Sequence, residues 1–181
     1  MVTNLSVGQI TIAYEDYPSV PYSTWEYVPT TLENIYVLSN GANQVWDLSN
    51  LVPYDSYSLQ FIDLTSLPFA GLYPEGDLVF TKNDSYYVIS RTLEYLAIIG
   101  AVLPIDSASF ISIINTTPEL IYIYPYTMGS FVESQPQSFT KFFYNDTISG
   151  YFVDSLALDI RATAKHEVVA WGSLKLPYAN F

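Results

Sequence analysis

Tyr57-Ser58-Leu59-Gln60-Phe61-Ile62-Asp63-Leu64 decides the fold class. Its residues alternate, with Leu59 and Phe61 on one face, because successive side chains of an extended strand point to opposite sides. The same period of two recurs on both sides of it. Toward the amino end, Val7 to Tyr14 reads as a first strand. Toward the carboxy end, Asp77 to Thr81 and Ser85 to Thr92 flank Lys82-Asn83-Asp84, a turn signal that makes them a hairpin. Glu119 to Tyr124 is β-branched and aromatic and is closed by Pro125. Phe139 to Tyr144 and Ser149 to Ile160 read as a second hairpin joined across Asn145-Asp146, and His166 to Leu176 as a pair of strands around Gly172. Only Thr92 to Val102 has apolar residues at helical spacing, and there the β-branched pair Ile98-Ile99 and Gly100 favour a strand. Pro and Gly punctuate the first 80 residues at short intervals, at Pro18, Pro21, Pro29, Gly41, Pro53, Pro68, Gly71, Pro74 and Gly76. Short strands between frequent turns predict an all-β fold, an antiparallel β-sandwich of jelly-roll or Ig-like type. With no repeat, linker or low-complexity tract, residues 1–181 are expected to form one domain.

Composition narrows the function classes. Half of the 181 residues are hydrophobic and 17% are aromatic, against 13% charged, so the chain has ample apolar surface to offset its ordering entropy. Six Lys and Arg against 18 Asp and Glu give a net charge of −12, and the six are scattered. Nucleic acid is excluded as a partner by that balance, since phosphate neutralisation needs clustered cations. An anionic membrane surface is disfavoured for the same reason. No stretch reaches the ~18 apolar residues of a membrane-spanning helix, so no membrane insertion is expected. Cysteine is absent, which fits a cytosolic protein or an exported bacterial one and argues against a disulfide-stapled module. Met1-Val2-Thr3-Asn4 does not open a signal peptide, so an exported chain would be read here as its mature part.

Candidate chemistry is sparse. The sole histidine, His166, has no Gly-x-Ser-x-Gly elbow to serve as base for, and an ordinary strand position is its plain reading. With one His and no Cys the usual transition-metal sites cannot be assembled. Glu94, Glu119, Glu133, Asp154 and Asp159 are carboxylates in strand-like text whose pairing for glycoside hydrolysis the sequence does not establish. Calcium is the one cofactor with a candidate site, at Glu75, Asp77 and Asp84, although turns use Asn, Asp and Gly for backbone reasons as well. Exposed aromatics are the remaining resource. Trp25 and Tyr27 near the amino end, with Tyr54 and Tyr57 in a following loop, are candidate platforms on which a sugar ring stacks. Tyr122, Tyr124 and Tyr126 alternate, and read either as such a ladder or as cross-strand packing.

Several stretches together resemble a known family. They are Ile10 to Pro18, Asn40-Gly41-Ala42-Asn43-Gln44-Val45-Trp46-Asp47-Leu48-Ser49-Asn50-Leu51, Asp77 to Phe80, Tyr122 to Gly129, and Ala170-Trp171-Gly172-Ser173-Leu174-Lys175-Leu176-Pro177. Their order resembles the amino-terminal β-rich domain of secreted Bacteroidota proteins that carry a type IX secretion sorting domain. The resemblance implies export and an extracellular or cell-surface location, and it brings no catalytic residues with it. The chain stops at Phe181, where one more strand is expected. A final strand supplied by a neighbouring chain, and hence self-association by strand exchange, is therefore an expectation. Asp106-Ser107-Ala108, Asp146-Thr147-Ile148 and Asp154-Ser155-Leu156 are similar to the O-glycosylation signal of that phylum, making Ser107, Thr147 and Ser155 candidate sites. Asn4, Asn83, Asn115 and Asn145 stand in Asn-x-Ser/Thr sequons. These readings predict a non-catalytic structural or adhesive surface domain, a subunit of an extracellular assembly. A carbohydrate-binding module is the alternative, and a secreted hydrolase the weaker one.

Overall fold

A computed structural model describes residues 11–17, 22–29, 40–47, 53–82, 84–105 and 109–175, with the backbone alone for 22–29, 47, 53–58, 174 and 175. The fold is all-β and sandwich-like. Its strands are β1 (Thr11–Ile12), β2 (Tyr22–Pro29), β3 (Gly41–Asp47), β4 (Pro53–Asp63), β5 (Leu78–Lys82), β6 (Ser85–Arg91), β7 (Tyr95–Pro104), β8 (Phe110–Ile123), β9 (Tyr126–Thr127), β10 (Phe131–Ser134), β11 (Gln137–Ile148), β12 (Tyr151–Arg161), β13 (Ala164–Glu167) and β14 (Ala170–Lys175). Eight of them form one sheet in the order β12-β11-β8-β7-β6-β5-β4-β2. Three two-stranded sheets, β1-β9, β10-β13 and β14-β3, complete the described topology. The β14–β3 pair is parallel, a departure from the antiparallel expectation.

The middle of the large sheet is covered on both faces. On one face Val79, Val88, Ile99 and Val102 pack under Leu64, Phe69 and Tyr73, which come from two 3-10 turns, Leu64–Ser66 and Ala70–Leu72, in the connection between β4 and β5. Strand alternation sends Phe61, Leu78, Ile89 and Leu96 to the other face, where Tyr17, Phe80, Ile121, Tyr122 and Tyr124 lie against them. Each fully buried side chain of this size stabilises by roughly 1.5–3 kcal/mol, so these two apolar layers dominate stability.

Tyr73 ties the first layer to the sheet. Its buried hydroxyl lies 2.9 Å from the Ala101 carbonyl and 3.0 Å from that of Ile113, both acceptors, and 2.7 Å from Ser112 Oγ. The ring fits because Gly100 carries no side chain: a Cβ there would collide with the Ile113 carbonyl and the Tyr73 ring. Around Gly100 the β7–β8 ladder is irregular, Ile98 pairing with Glu119 and Gly100 with Ile114. Residues 115–118, including Pro118, thus face Ile99 alone and lean toward β11, where Thr117 pairs with Gln137 and Asn115 with Ser138. Proline is tolerated at such a bulge because no ladder bond is asked of its nitrogen. Asn115 Nδ2 donates to the Ile98 carbonyl at 3.1 Å, satisfying an acceptor beside the bulge.

The hairpin β5–β6 turns between Lys82 and Ser85 as expected, with Asp84 at φ 61, and β7 is a strand rather than a helix. Elsewhere the boundaries need correction. Residues 7–10 lie outside the described residues, and Tyr14 to Asp16 form a 3-10 turn rather than the end of a strand, since the Ala13 amide donates to Asp16 Oδ2 at 2.8 Å. Glu119 to Ile123 is the last part of the much longer β8, and Tyr124 falls just past its end. The second hairpin turns at Ser149-Gly150, not at Asn145-Asp146. Both turn residues have positive φ (51 and 85), the geometry of a two-residue I′ turn, while Asn145, at φ 50, sits in a bulge between Phe143 and Asp146. Likewise Gly172 is not a turn. It lies inside β14, where a Cβ would overlap the Gln44 backbone at the register shift beside β3, and the chain breaks instead at Val168 and Val169.

Candidate functional site

Two surfaces and one polar pair are the candidates, and each follows from the strands that carry it. The first is the β11–β12 hairpin. Its base is fastened to β8, where Thr140 Oγ1 donates to the Ser112 carbonyl at 2.7 Å and Ser138 is buried. Every residue from Phe143 to Phe152 is exposed. The ladder pairs Phe143 with Ser155, Thr147 with Phe152 and Ile148 with Tyr151. Phe139 and Phe143 therefore share one face with Tyr151, and Phe152 stands on the opposite face with Leu158 and Ile160. Phe139 is 61% exposed, Phe143 86%, Tyr151 78% and Phe152 71%. A monomer seldom leaves such a group of rings in water. Sequence reasoning placed these strands but did not single out the rings. The available signal was the runs Phe142-Phe143-Tyr144 and Tyr151-Phe152-Val153, which break alternation and so load both faces.

The second surface is a tyrosine cluster over β4–β8. Tyr122 and Tyr126 rings are 5.0 Å apart, Tyr14 meets Tyr124 edge-on at 6.5 Å, and Tyr17 meets Phe61 at 5.8 Å. Arg91 stands over the Tyr14 ring at 4.8 Å and its Nε donates to Asp77 Oδ2 at 3.2 Å. Burial, reinforced by the neighbouring Tyr122 and Tyr124 hydroxyls and opposed by Arg91, pushes the Tyr17 hydroxyl up to about 12. Burial likewise raises Tyr73, Tyr124 and Tyr126. The Tyr124 hydroxyl is buried and has no hydrogen-bond partner among the described residues. Ring-on-ring contacts of this kind use the aromatic faces for packing, so the alternating Tyr122, Tyr124 and Tyr126 pack on one another and on Tyr14 rather than standing as an open ladder.

The polar pair is His166 and Glu119. β13 places His166 opposite Val132, with Nε2 buried and 3.8 Å from Glu119 Oε1, beyond hydrogen-bond length. Three of the other carboxylates considered for acid–base work are drawn to separate partners. Glu133 pairs with Lys165 at 3.3 Å, Asp159 with Arg161 at 2.9 Å, and Asp154 accepts from Ser155 Oγ at 3.0 Å.

For the calcium candidates, Glu75 and Asp77 precede β5 and Asp84 follows it, so the length of that strand separates them. No group of three or more potential metal ligands occurs among the described residues. Of the sugar-platform candidates, Trp25 pairs with Ser58, Tyr27 with Ser56 and Tyr57 with Glu26, and Tyr54 falls at the register shift near Pro29. Tyr54 and Tyr57 thus belong to β4 and not to a loop, and the side chains of all four lie outside the described residues. Ser107 also lies outside them; Thr147 is exposed beside the hairpin turn, and Ser155 is half-buried. Among the sequons, Asn4 and Asn83 are outside the described residues, Asn115 is engaged with Ile98, and Asn145 is exposed in its bulge. No helix among the described residues is long and apolar enough to cross a membrane. No protein-family model matches the chain, and neither the curated proteins nor the solved structures contain a match to it.

Proposed function

We propose that the chain is a non-catalytic structural or adhesive domain that works as a subunit of an extracellular or cell-surface assembly. One observation carries this reading: the β11–β12 hairpin holds Phe139, Phe143, Tyr151 and Phe152 in water on both of its faces. Side chains of that size gain free energy when a partner covers them, and a hairpin that is fastened at its base presents them without rearrangement. The acidity is compatible with it, since excess carboxylate keeps such subunits soluble before they assemble. Export, implied by the likeness to secreted Bacteroidota domains, belongs to the same proposal.

The test is the molar mass of the full chain by light scattering across a wide concentration range, with the double variant Phe143→Ser, Phe152→Ser beside it. Growth of mass with concentration, abolished in the variant, is the expected result. A chain that stays monomeric at every concentration would end the assembly reading. A glycan-binding module is the second reading, favoured by the position of Trp25 and Tyr27 two residues apart on β2, at the opposite margin of the sheet. It requires glycan-array binding that Trp25→Ala removes.

A further inference from the structure

The outer margin of the large sheet on the hairpin side is β12, and among the described residues no strand pairs with its free side. Edge strands are ordinarily guarded by proline, lysine, bulges or brevity, because their unpaired amides and carbonyls template further strands. β12 lacks proline, lysine, an inserted bulge residue and brevity; its charges are Asp154 and the mutually paired Asp159 and Arg161. It is 11 residues long, Tyr-Phe-Val-Asp-Ser-Leu-Ala-Leu-Asp-Ile-Arg, without Pro, Gly or Lys, and the bulge of this hairpin has its extra residue in β11. We infer that β12 pairs antiparallel with β12 of a second copy of this chain, joining the two large sheets edge to edge. The inference rests on the assembly reading and specifies its partner and contact.

The sequence of β12 suits its own reverse. Full overlap about a two-fold axis puts Leu156 opposite its counterpart. It then faces Phe152 with Ile160, Asp154 with Leu158, Val153 with Asp159 and Tyr151 with Arg161. Opposed residues then share a face, so Phe152, Leu156, Leu158 and Ile160 of the two copies come together across the junction, interrupted only where Asp154 stands opposite Leu158. No like charges meet in this register, whereas slipping by one residue in one direction sets Asp154 against Asp159. Arg161, already bound to Asp159 at 2.9 Å, arrives as part of a neutral pair beside the Tyr151 ring. Tyr151 and Phe152, 78% and 71% exposed, stand on the pairing strand itself, and at roughly 150–250 Å² per aromatic side chain they offer on the order of 300 Å² beside the junction, to which Leu158 and Ile160 add.

Because the chain contains no cysteine, single cysteines report the register directly. Leu156→Cys is expected to form a disulfide-linked dimer under mild oxidation, since directly opposed strand residues lie within disulfide reach. Leu158→Cys alone is expected to stay uncross-linked, while an equimolar mixture of Leu158→Cys and Asp154→Cys chains cross-links. Leu156→Lys, which opposes two ammonium groups at the axis, is expected to weaken the dimer at least ~10-fold while circular dichroism shows the fold retained. If the wild-type chain gains mass with concentration but Leu156→Cys does not cross-link, the edge pairing is wrong and assembly by another surface stands. If the wild-type chain never gains mass, both readings fall. Sedimentation of a monomeric chain with phosphatidylcholine vesicles, lost on Phe143→Ser with Phe152→Ser, would overturn the pairing in favour of a lipid surface.

Discussion

The centre of the sheet and its β11–β12 margin are built from the same kinds of residue and end in opposite environments. Leu78, Val79, Val88 and Ile89 alternate between two covered faces, each met by apolar side chains from outside the sheet. Phe143, Ile148, Tyr151 and Phe152 alternate between two faces that nothing else in the described chain covers. Apolar content therefore does not locate the core. What locates it is the supply of a covering layer: the connection between β4 and β5 on one side, and Tyr17 with Tyr124 on the other. A strand rich in Phe and Tyr without such a layer is a surface held ready for something else.

The largest test of this contrast is Leu96→Ala, which empties a fully buried site. It should lower unfolding stability in urea by about 2–5 kcal/mol, and an effect under 1 kcal/mol would mean that the layer over Leu96 is not packed. Next comes Gly100→Ala, expected to cost about 3 kcal/mol because the new methyl meets a carbonyl and the Tyr73 ring. Gly150→Ala at the hairpin turn has open space around it and only its positive φ to oppose it, so about 1 kcal/mol is expected there. Equal losses at the two glycines would erase the distinction.

Alkaline titration sharpens it further. Below pH 10 Tyr17 is protonated whether the chain is folded or not. Between about 10 and 12 the unfolded chain ionises first, so stability falls as pH rises, by about 1–2 kcal/mol for this half-covered group. Tyr17→Phe should flatten that fall in urea titrations at pH 9 and 11. The smallest effect is expected at the margin itself: Phe143→Ser should change unfolding stability by no more than ~0.5 kcal/mol, while altering the molar mass in solution.

The strands were largely legible because alternation is a local property. Phe61, Leu78 and Ile89 are inside, as a period of two requires. The hairpin turn was misplaced because Asn145-Asp146 and Ser149-Gly150 are both turn chemistry, and only the register of β11 against β12 decides which residues need positive φ. Gly172 was misread for a related reason: a glycine admits a close backbone neighbour as readily as a turn, and the neighbour, Gln44, is remote in sequence. At the candidate surfaces, the packing of Tyr122, Tyr124 and Tyr126 was open to two readings until Tyr14 and Tyr17 were placed beside them. Phe143 and Phe152 went unnoticed since nothing local distinguishes a ring that will be covered from one that will not.

Tyr73 carries a consequence for the order of events during synthesis. Its three hydroxyl neighbours, Ala101, Ser112 and Ile113, lie 28 to 40 positions further along the chain. A nascent chain that has not yet delivered β8 has no place to seat this phenol, and Leu64 and Phe69 remain unclosed with it. Closure of this apolar layer thus waits on distant strands, which slows maturation and leaves truncated products sticky and vulnerable to proteases.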